Sequence, residues 1–338
     1  MNQTVVQNPG DPYIYMFVQG EWYCYNPNED RLGGGAMGTV YRGFRCKDGA
    51  TVAVKRVIDN YANNRQIRER AKFEASLVFR HTNLVEMIGY CEYAPTFGPI
   101  FLISKFVSGE DIDKYVKRFA NAPDRVEKIS KAICQVCDAL DYLHHYVVYQ
   151  SDGSIAQTGI IHRDVKPSNI MVEGGSNVRL MDLGIARQNS GNSFSSFGFI
   201  GTPEYSAPEQ IKGDKDSIGP TTDIYQLGVT FYELLDGTNP MACEAESQTL
   251  TKQIQEELPS SPRIPRKMLA VIRKATEKEQ SNRYQSAMEF KKAIQLALMP
   301  DPSLTEQISD WVQTHLLAFL GIVVLLGIIA VIIFLILL

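Results

Sequence analysis

Cysteine is sparse: six residues, Cys24, Cys46, Cys91, Cys134, Cys137 and Cys243, are scattered over 338 positions. Such scatter excludes a disulfide framework and fits a reducing compartment. The single CxxC, Cys134-Gln-Val-Cys137, has no second Cys/His pair at ligand spacing and lies in an apolar helical run, Ile129 to Leu143. It therefore reads as two small buried residues rather than a zinc or redox pair. A strong charge of either sign is also missing: the formal net charge is −4, which gives no electrostatic reason to expect nucleic acid as a partner. The start, Met1 to Pro12, has neither a basic beginning nor an apolar core, so no secretory signal is expected. There are no internal repeats. What remains is globular in composition, 44% hydrophobic and 21% charged, and long enough for two lobes that each bury a core.

One long hydrophobic run is present. The 23 residues from Leu316 to Leu338 carry no charge. At about 1.5 Å per residue a helix of that length crosses a ~30 Å hydrocarbon layer. Trp311 precedes it at a place suited to the membrane interface. The expectation is a tail anchor, with the rest of the chain on the cytosolic side.

Residues 1–28 are rich in aromatics (Tyr13, Tyr15, Phe17, Trp22, Tyr23, Tyr25) and suggest short strands packed on the domain after them. Residues 30–108 read as strand-rich: Thr51–Val57 is a β-branched run, Ile100–Val107 another strand, and Arg65–Phe79 has helical composition. Residues 110–298 read as mainly helical, with apolar residues at three- and four-residue spacing over Ser130–Tyr146, Thr222–Asp236, Arg266–Glu279 and Ser286–Leu298. Met299-Pro-Asp-Pro-Ser303 marks the end of the domain.

Within the first lobe, Leu32-Gly33-Gly34-Gly35-Ala36-Met37-Gly38-Thr39-Val40 contains a GxGxxG core. Glycines let backbone amides approach phosphate oxygens and allow turns closed to other residues. In a dinucleotide fold a helix should come next, with an acidic residue about twenty positions on. Here a strand comes next, and then Val52-Ala53-Val54-Lys55, a lysine ending an apolar strand. Behind a Gly-rich hairpin Lys55 is placed to reach α- and β-phosphates. It needs a carboxylate to hold it; Glu74 is the candidate and Glu69 the rival.

The second lobe holds Ile160-Ile-His162-Arg-Asp164-Val-Lys166-Pro-Ser-Asn169-Ile-Met171, followed by Val178-Arg-Leu-Met-Asp182-Leu-Gly184. Phosphoryl transfer demands positioning and charge neutralisation more than covalent chemistry. Asp164 can accept the proton of an attacking hydroxyl, and Lys166 can neutralise charge on a γ-phosphate. Asn169 and Asp182 supply hard oxygen ligands that suit Mg²⁺, with Mn²⁺ as a substitute.

Taken together these segments resemble the eukaryotic-type (Hanks-type) protein kinase superfamily, over about residues 30–298. The resemblance implies an α+β, two-lobed kinase domain at 29–298 divided near 107, and the composition adds an extension at 1–28, a linker at 299–315 and a transmembrane helix at 316–338. It implies ATP and Mg²⁺ as cofactors. It makes Asp164 the base, Lys55 with Glu74 the phosphate-holding pair, and Asn169 and Asp182 the metal ligands. Asp223 would brace the catalytic loop, and Glu209 would pair with Arg283. Leu32 to Val40, Ala53, Ser104 as gatekeeper, Lys105, Val107 and Met171 would surround the nucleotide. Lys166 and Thr202 imply serine/threonine specificity. Ser190, Ser193, Ser195, Ser196 and Thr202 are candidate phosphorylation positions on the activation loop, where a phosphate could pair with Arg163. Protein substrates, the membrane, and self-association for trans-phosphorylation are the implied partners.

Three departures stand out. The connection from Glu74 to His81 is short, Leu183 replaces the usual phenylalanine, and His144–Gly159 is long enough for a small surface hairpin. That hairpin suits either a partner contact or a neutral insertion. Two other function classes compete: a membrane-tethered pseudokinase scaffold, and a small-molecule phosphotransferase. Intact Lys55, Asp164, Asn169 and Asp182 argue against the first, and the segment Gly201–Glu209 against the second.

Overall fold

A computed structural model describes residues 5–35, 38–57, 65–92, 98–150, 152–183 and 202–300, with Thr305, Trp311, His315, Leu316, Leu320, Gly321, Leu325, Leu326, Gly327 and Ile329. It divides into two compact units, Met1–Leu296 and Ala297–Leu338.

The first unit opens with a strand meander: β1 (Val5–Gln7), β2 (Ile14–Val18) and β3 (Glu21–Tyr25), each antiparallel to the next. It then passes through β4 (Arg31–Gly35), β5 (Gly38–Arg45), β6 (Thr51–Val57), helix α1 (Arg65–Ser76), β7 (Met87–Glu92) and β8 (Ile100–Lys105). These strands form one sheet in the order β1-β2-β3-β5-β6-β8-β7, with β4 pairing β5 at its glycine-rich end. Strands β1 to β3 of the expected extension thus continue the sheet of the lobe.

Side-chain alternation along strands puts successive residues on opposite faces, and this sheet has a core on both. Val52 and Val54 of β6, Tyr41 of β5, Cys91 of β7 and Phe101 and Ile103 of β8 share one core with Val5, Ile14, Met16, Val18, Tyr23 and Tyr25 of the meander. On the other face Val57, Ile100 and Leu102 pack on Ala71 and Ala75 of α1. The meander returns far enough for Val18 of β2 to meet β7. A Cβ on Gly89 would stand 2.8 Å from Val18 Cγ1, and Gly89 has φ +151°, so both space and backbone demand glycine there.

Helix α1 stops at Ser76, short of the expected Phe79, and the Ser76 hydroxyl bonds back to the Phe73 carbonyl at 2.7 Å. Phe79 leaves the helical path and packs edge-on against Tyr142 and Tyr146. The strand expected to run to Val107 ends at Lys105, and the lobe connection begins there.

The second lobe comprises β9 (Gly109–Asp111), α2 (Ile112–Lys117), α3 (Arg125–His144), β10 (Val147–Tyr149), β11 (Ile155–Thr158), β12 (Ile170–Glu173), β13 (Asn177–Leu180), α4 (Pro208–Lys212), α5 (Pro220–Asp236), α6 (Glu246–Gln255), α7 (Arg266–Ala275) and α8 (Ala287–Leu298). Helix α3 begins five residues before the apolar pattern does, because the buried guanidinium of Arg125 donates to the carbonyls of Leu235 and Arg263. Helix α5 is the axle of the lobe, with Ile224, Leu227, Val229 and Phe231 fully buried. A Cβ at Gly228 would lie 2.7 Å from Thr276 Cγ2, so glycine sets the close approach of α5 and α7. Helix α7 stops at Ala275 rather than Glu279. Thr276 Oγ1 donates to the Ile272 carbonyl, and the chain then turns so that Glu277 and Lys278 offer carbonyls to Arg283. The 144–159 segment forms the expected hairpin: β10 pairs antiparallel with β11, and Tyr149 and Ile155 stay exposed.

In the second unit Trp311 and His315 stack, and the His315 Nδ1 hydrogen-bonds the Trp311 carbonyl at 2.8 Å. Among the described residues no helix is long and apolar enough to cross a membrane. The span expected at 316–338 lies for the most part outside the described residues.

Candidate functional site

A cleft of about 620 Å³ lies between the sheet and the helical lobe. Leu32, Gly33, Gly34, Gly38 and Val40 line it from the glycine-rich hairpin, Ala53 and Lys55 from β6, and Glu74 from α1. Ser104, Lys105 and Val107 line the lobe connection, and Met171 lines the cleft from β12. Gly35 pairs with Gly38 within the hairpin, and Thr39 stands opposite Gly34 and Arg56 in the strand registers. Thr39 is not among the described residues that line the cleft. Ala36 and Met37 lie outside the described residues. Gly38 is fixed by space: a Cβ there would stand 2.4 Å from the Arg56 carbonyl oxygen.

The expected charged residues converge across this cleft. Lys55 Nζ lies 3.1 Å from Asp182 Oδ2, joining the sheet to the segment after β13. Glu74 is buried in the same wall, at 4% exposure. Glu69 instead faces Lys72, on the exposed side of α1. Asp182 has φ +49°, a left-handed conformation uncommon for a residue with a Cβ.

On the catalytic loop Asp164 is buried and held from several directions. Asn169 Nδ2 donates to the Asp164 carbonyl oxygen and to Oδ2, both at 2.7 Å. Lys166 Nζ stands 3.2 Å from Oδ2. Thr202 Oγ1 accepts from Lys166 Nζ at 2.6 Å and donates to Asp164 Oδ1 at 3.2 Å. A phosphoryl group on Thr202 would remove the proton that Oγ1 donates to Asp164. Ser190, Ser193, Ser195 and Ser196 lie outside the described residues. Because Asn169 commits its amide nitrogen to Asp164, its Oδ1 is left as the donor atom for a cation. With the Asp182 carboxylate that makes a pair of hard oxygens in one cleft, a set that fits Mg²⁺ sharing its coordination with phosphates.

The loop itself is held from α5. Asp223, fully buried, accepts from the backbone amides of His162 (2.8 Å) and Arg163 (2.7 Å) and from His144 Nε2 (2.8 Å). Burial alone would push its carboxyl up; the His144 hydrogen bond and its neighbours outweigh that and hold it below the ordinary carboxylate range. Burial pushes the His162 imidazole down, so at neutral pH it is uncharged. Its Nε2 bonds the Met181 carbonyl at 2.9 Å and its Nδ1 accepts the Asp164 amide at 3.3 Å, which assigns the proton to Nε2.

Behind the cleft Glu209, the last residue of the 201–209 segment, is anchored by a buried ion pair. Arg283 is bidentate to Glu209, with Nη1–Oε1 at 2.8 Å and Nη2–Oε2 at 2.9 Å, and its guanidinium lies 4.8 Å from the Tyr225 ring centroid. Burial opposes ionisation of Glu209, but the Arg283 hydrogen bonds win and the carboxyl is lowered. Arg283→Met is expected to cost about 3 kcal/mol of stability, because it leaves a buried carboxylate unpaired. Chemical denaturation checks this; a loss under about 1 kcal/mol would place the pair among exposed ion pairs.

Several participants are not singled out by the sequence. His144 closes α3 on a helical face otherwise apolar, and His162 looks like a mere neighbour of Asp164. Gln226 falls three residues after Asp223 on α5, which puts the two on one helix face; that spacing was the available signal.

The family described as the protein kinase domain matches residues 27–295. Among curated relatives, the serine/threonine-protein kinase PknB of Mycobacterium tuberculosis is 30% identical over 298 aligned residues, covering 85% of this chain and 45% of that protein. The serine/threonine-protein kinase PrkC of Bacillus subtilis is 28% identical over 277 residues, covering 80% of this chain and 40% of that protein. The chain thus spans less than half the length of these relatives. The crystal structure of a cysteine-to-alanine mutant of the Mycobacterium tuberculosis PknI kinase domain superposes with a TM-score of 0.61 at 23% identity, covering 87% of this chain and all of that one. That likeness concerns the fold. With the family match running from the meander's last turn through both lobes to α8, this chain belongs to the protein kinase family.

Proposed function

We propose that the chain transfers the γ-phosphoryl group of Mg·ATP to serine or threonine hydroxyls of proteins. The observation that carries this reading is the Asp164–Lys166–Thr202 triangle at the floor of a cleft that also holds Lys55 and Asp182. Asp164 takes the proton of the incoming hydroxyl as its oxygen attacks the γ-phosphorus, and the β–γ bridging bond breaks to release ADP. Lys166 offsets charge that develops on the transferring group. Lys55, braced in a buried wall with Glu74, holds the α- and β-phosphates. Asn169 and Asp182 would hold the divalent cation, which supplies neutralisation of phosphate charge. Ala53 and Met171 would sandwich the base, and the small Ser104 leaves room behind it.

The reading extends to location. The uncharged run at 316–338 supports a membrane tether that confines the domain to one surface and raises the effective concentration of substrates there.

The test is transfer of labelled γ-phosphate by the full chain to itself and to a mixed protein substrate, with phosphoamino-acid analysis. Label on serine and threonine is expected. ATP binding without any transfer would overturn the reading in favour of a scaffold, and label on small molecules alone would overturn it in favour of another phosphotransferase.

A further inference from the structure

Gln226 of α5 is 2% exposed and carries a primary amide against the catalytic loop. Its Nε2 donates to the Arg163 carbonyl at 3.0 Å, and its Oε1 accepts from the Val165 amide at 3.0 Å. One side chain thus grips the peptide groups on both sides of Asp164. Nε2 also donates to Gln210 Oε1 at 3.0 Å. Gln210, on α4 just past the 201–209 segment, donates from its own Nε2 to the same Arg163 carbonyl at 3.1 Å. Its Oε1 accepts from the Ala207 amide at 2.9 Å, which ties the ladder to the segment beginning at Thr202.

This grip matters because the loop is not at rest in its backbone. Arg163 has φ +68°, which a residue with a Cβ adopts only where its surroundings impose it. Asp223 fixes the amides of His162 and Arg163, but it has no donor to hold a carbonyl. The Arg163 carbonyl and the Val165 amide need a donor and an acceptor on one planar group. A carboxamide supplies both; alanine and serine reach neither, and glutamate offers no N–H.

We propose that Gln226 and Gln210 are positioning residues for the transfer reaction: an amide relay through which the seating of the segment from Thr202 to Ala207 sets the aim of Asp164. The proposal rests on the kinase reading above. It predicts that the pair acts as a unit, because both donate to one carbonyl and one donates to the other.

The experiment compares the full chain with Gln226→Ala, Gln210→Ala and the double variant. It reads hydrogen–deuterium exchange of the peptide covering 160–169, kcat and KM for ATP, and the melting temperature. Each single variant is expected to speed exchange at 163–165 and to lower kcat about tenfold or more, with KM for ATP within about twofold and the melting temperature retained. The double variant is expected to be no worse than Gln226→Ala alone, since coupled residues are not additive. Unchanged exchange in a folded variant overturns the grip. Faster exchange with unchanged kcat overturns the positioning role, as does a joint fall of kcat, ATP affinity and melting temperature. Additive losses overturn the relay. Should Gln226→Ala fail to fold, the half-buried Gln210 carries the same test. A wild-type chain without transfer activity would sink the kinase reading, and the exchange measurement would still decide whether the amides hold the loop.

Discussion

Asparagine in place of Asp164 is expected to lower kcat for protein phosphorylation about 10³-fold, leaving KM for ATP and the melting temperature near those of the unmodified chain. The substitution keeps shape and removes two things at once. The carboxylate that accepts the hydroxyl proton is gone. The new NH₂ must also face groups chosen for a pure acceptor: Asn169 Nδ2 donates to Oδ2, Lys166 Nζ stands 3.2 Å from the same oxygen, and Thr202 Oγ1 donates to Oδ1. Turned toward Asn169 and Lys166, the NH₂ sets a donor against donors; turned toward Thr202, it makes that hydroxyl accept and give up the bond it donates. Steady-state kinetics with quantified nucleotide binding separates the outcomes. A variant retaining more than about a tenth of the activity would mean that the proton leaves by another route and that Asp164 only orients.

Removal of the first 28 residues is expected to do more damage to the fold than any single substitution. Six residues of one hydrophobic core, Val5, Ile14, Met16, Val18, Tyr23 and Tyr25, would go with them. At roughly 1.5–3 kcal/mol for each large apolar side chain, the loss rivals the whole stability of a typical domain, about 5–15 kcal/mol. The partners left behind, including Phe101, Ile103, Val52 and Val54, would face water as a contiguous apolar patch. The expected product is an aggregating, dye-binding chain that no longer binds ATP. A truncated chain that stays monomeric and melts within a few degrees of the full one would show that the meander is dispensable. The family match begins at residue 27, so a fragment cut to that boundary would lack the meander altogether.

How much could be read in advance differs by residue. The strand Thr51–Val57 lies at its expected bounds because a β-branched run after a Lys-Asp-Gly turn has few competing conformations. The grouping of Lys166 and Asn169 about Asp164 was legible because phosphoryl transfer restricts residue type at each position. The meander was legible only as short strands packed on the domain; its bounds and pairing were not, since Tyr13, Tyr15 and Phe17 alternate with Ile14, Met16 and Val18. Both faces are apolar, and the alternation that betrays a half-buried strand vanishes. Helix α2 is only six residues long, and α6 is mostly polar with Thr249 and Gln253 as its buried positions, so neither carries a readable apolar stripe. Gln226 escaped notice for a different reason. Composition reports that a residue is polar, and says nothing of whether water or a backbone carbonyl answers it.

The two faces of the N-terminal sheet have unequal grips. On the meander side large interlocking side chains, among them Tyr25, Phe101 and Met16, are wholly enclosed. On the helix side α1 meets the strands through Ala71 and Ala75, whose single methyl groups form no deep ridges. Packing alone therefore gives little resistance to shear on the helix side, where the ion pairs of Arg68 and Lys72 with Glu92 of β7 fix α1 instead, whereas the opposite layer cannot slide without unpacking aromatics. Glu74 travels with α1, and Lys55 is fixed to the sheet. The position of Glu74 relative to Lys55 thus rests on a polar clamp at Glu92 rather than on interlocked side chains, and a change that breaks the Arg68–Glu92 and Lys72–Glu92 pairs is the one that would free α1 to move against the sheet.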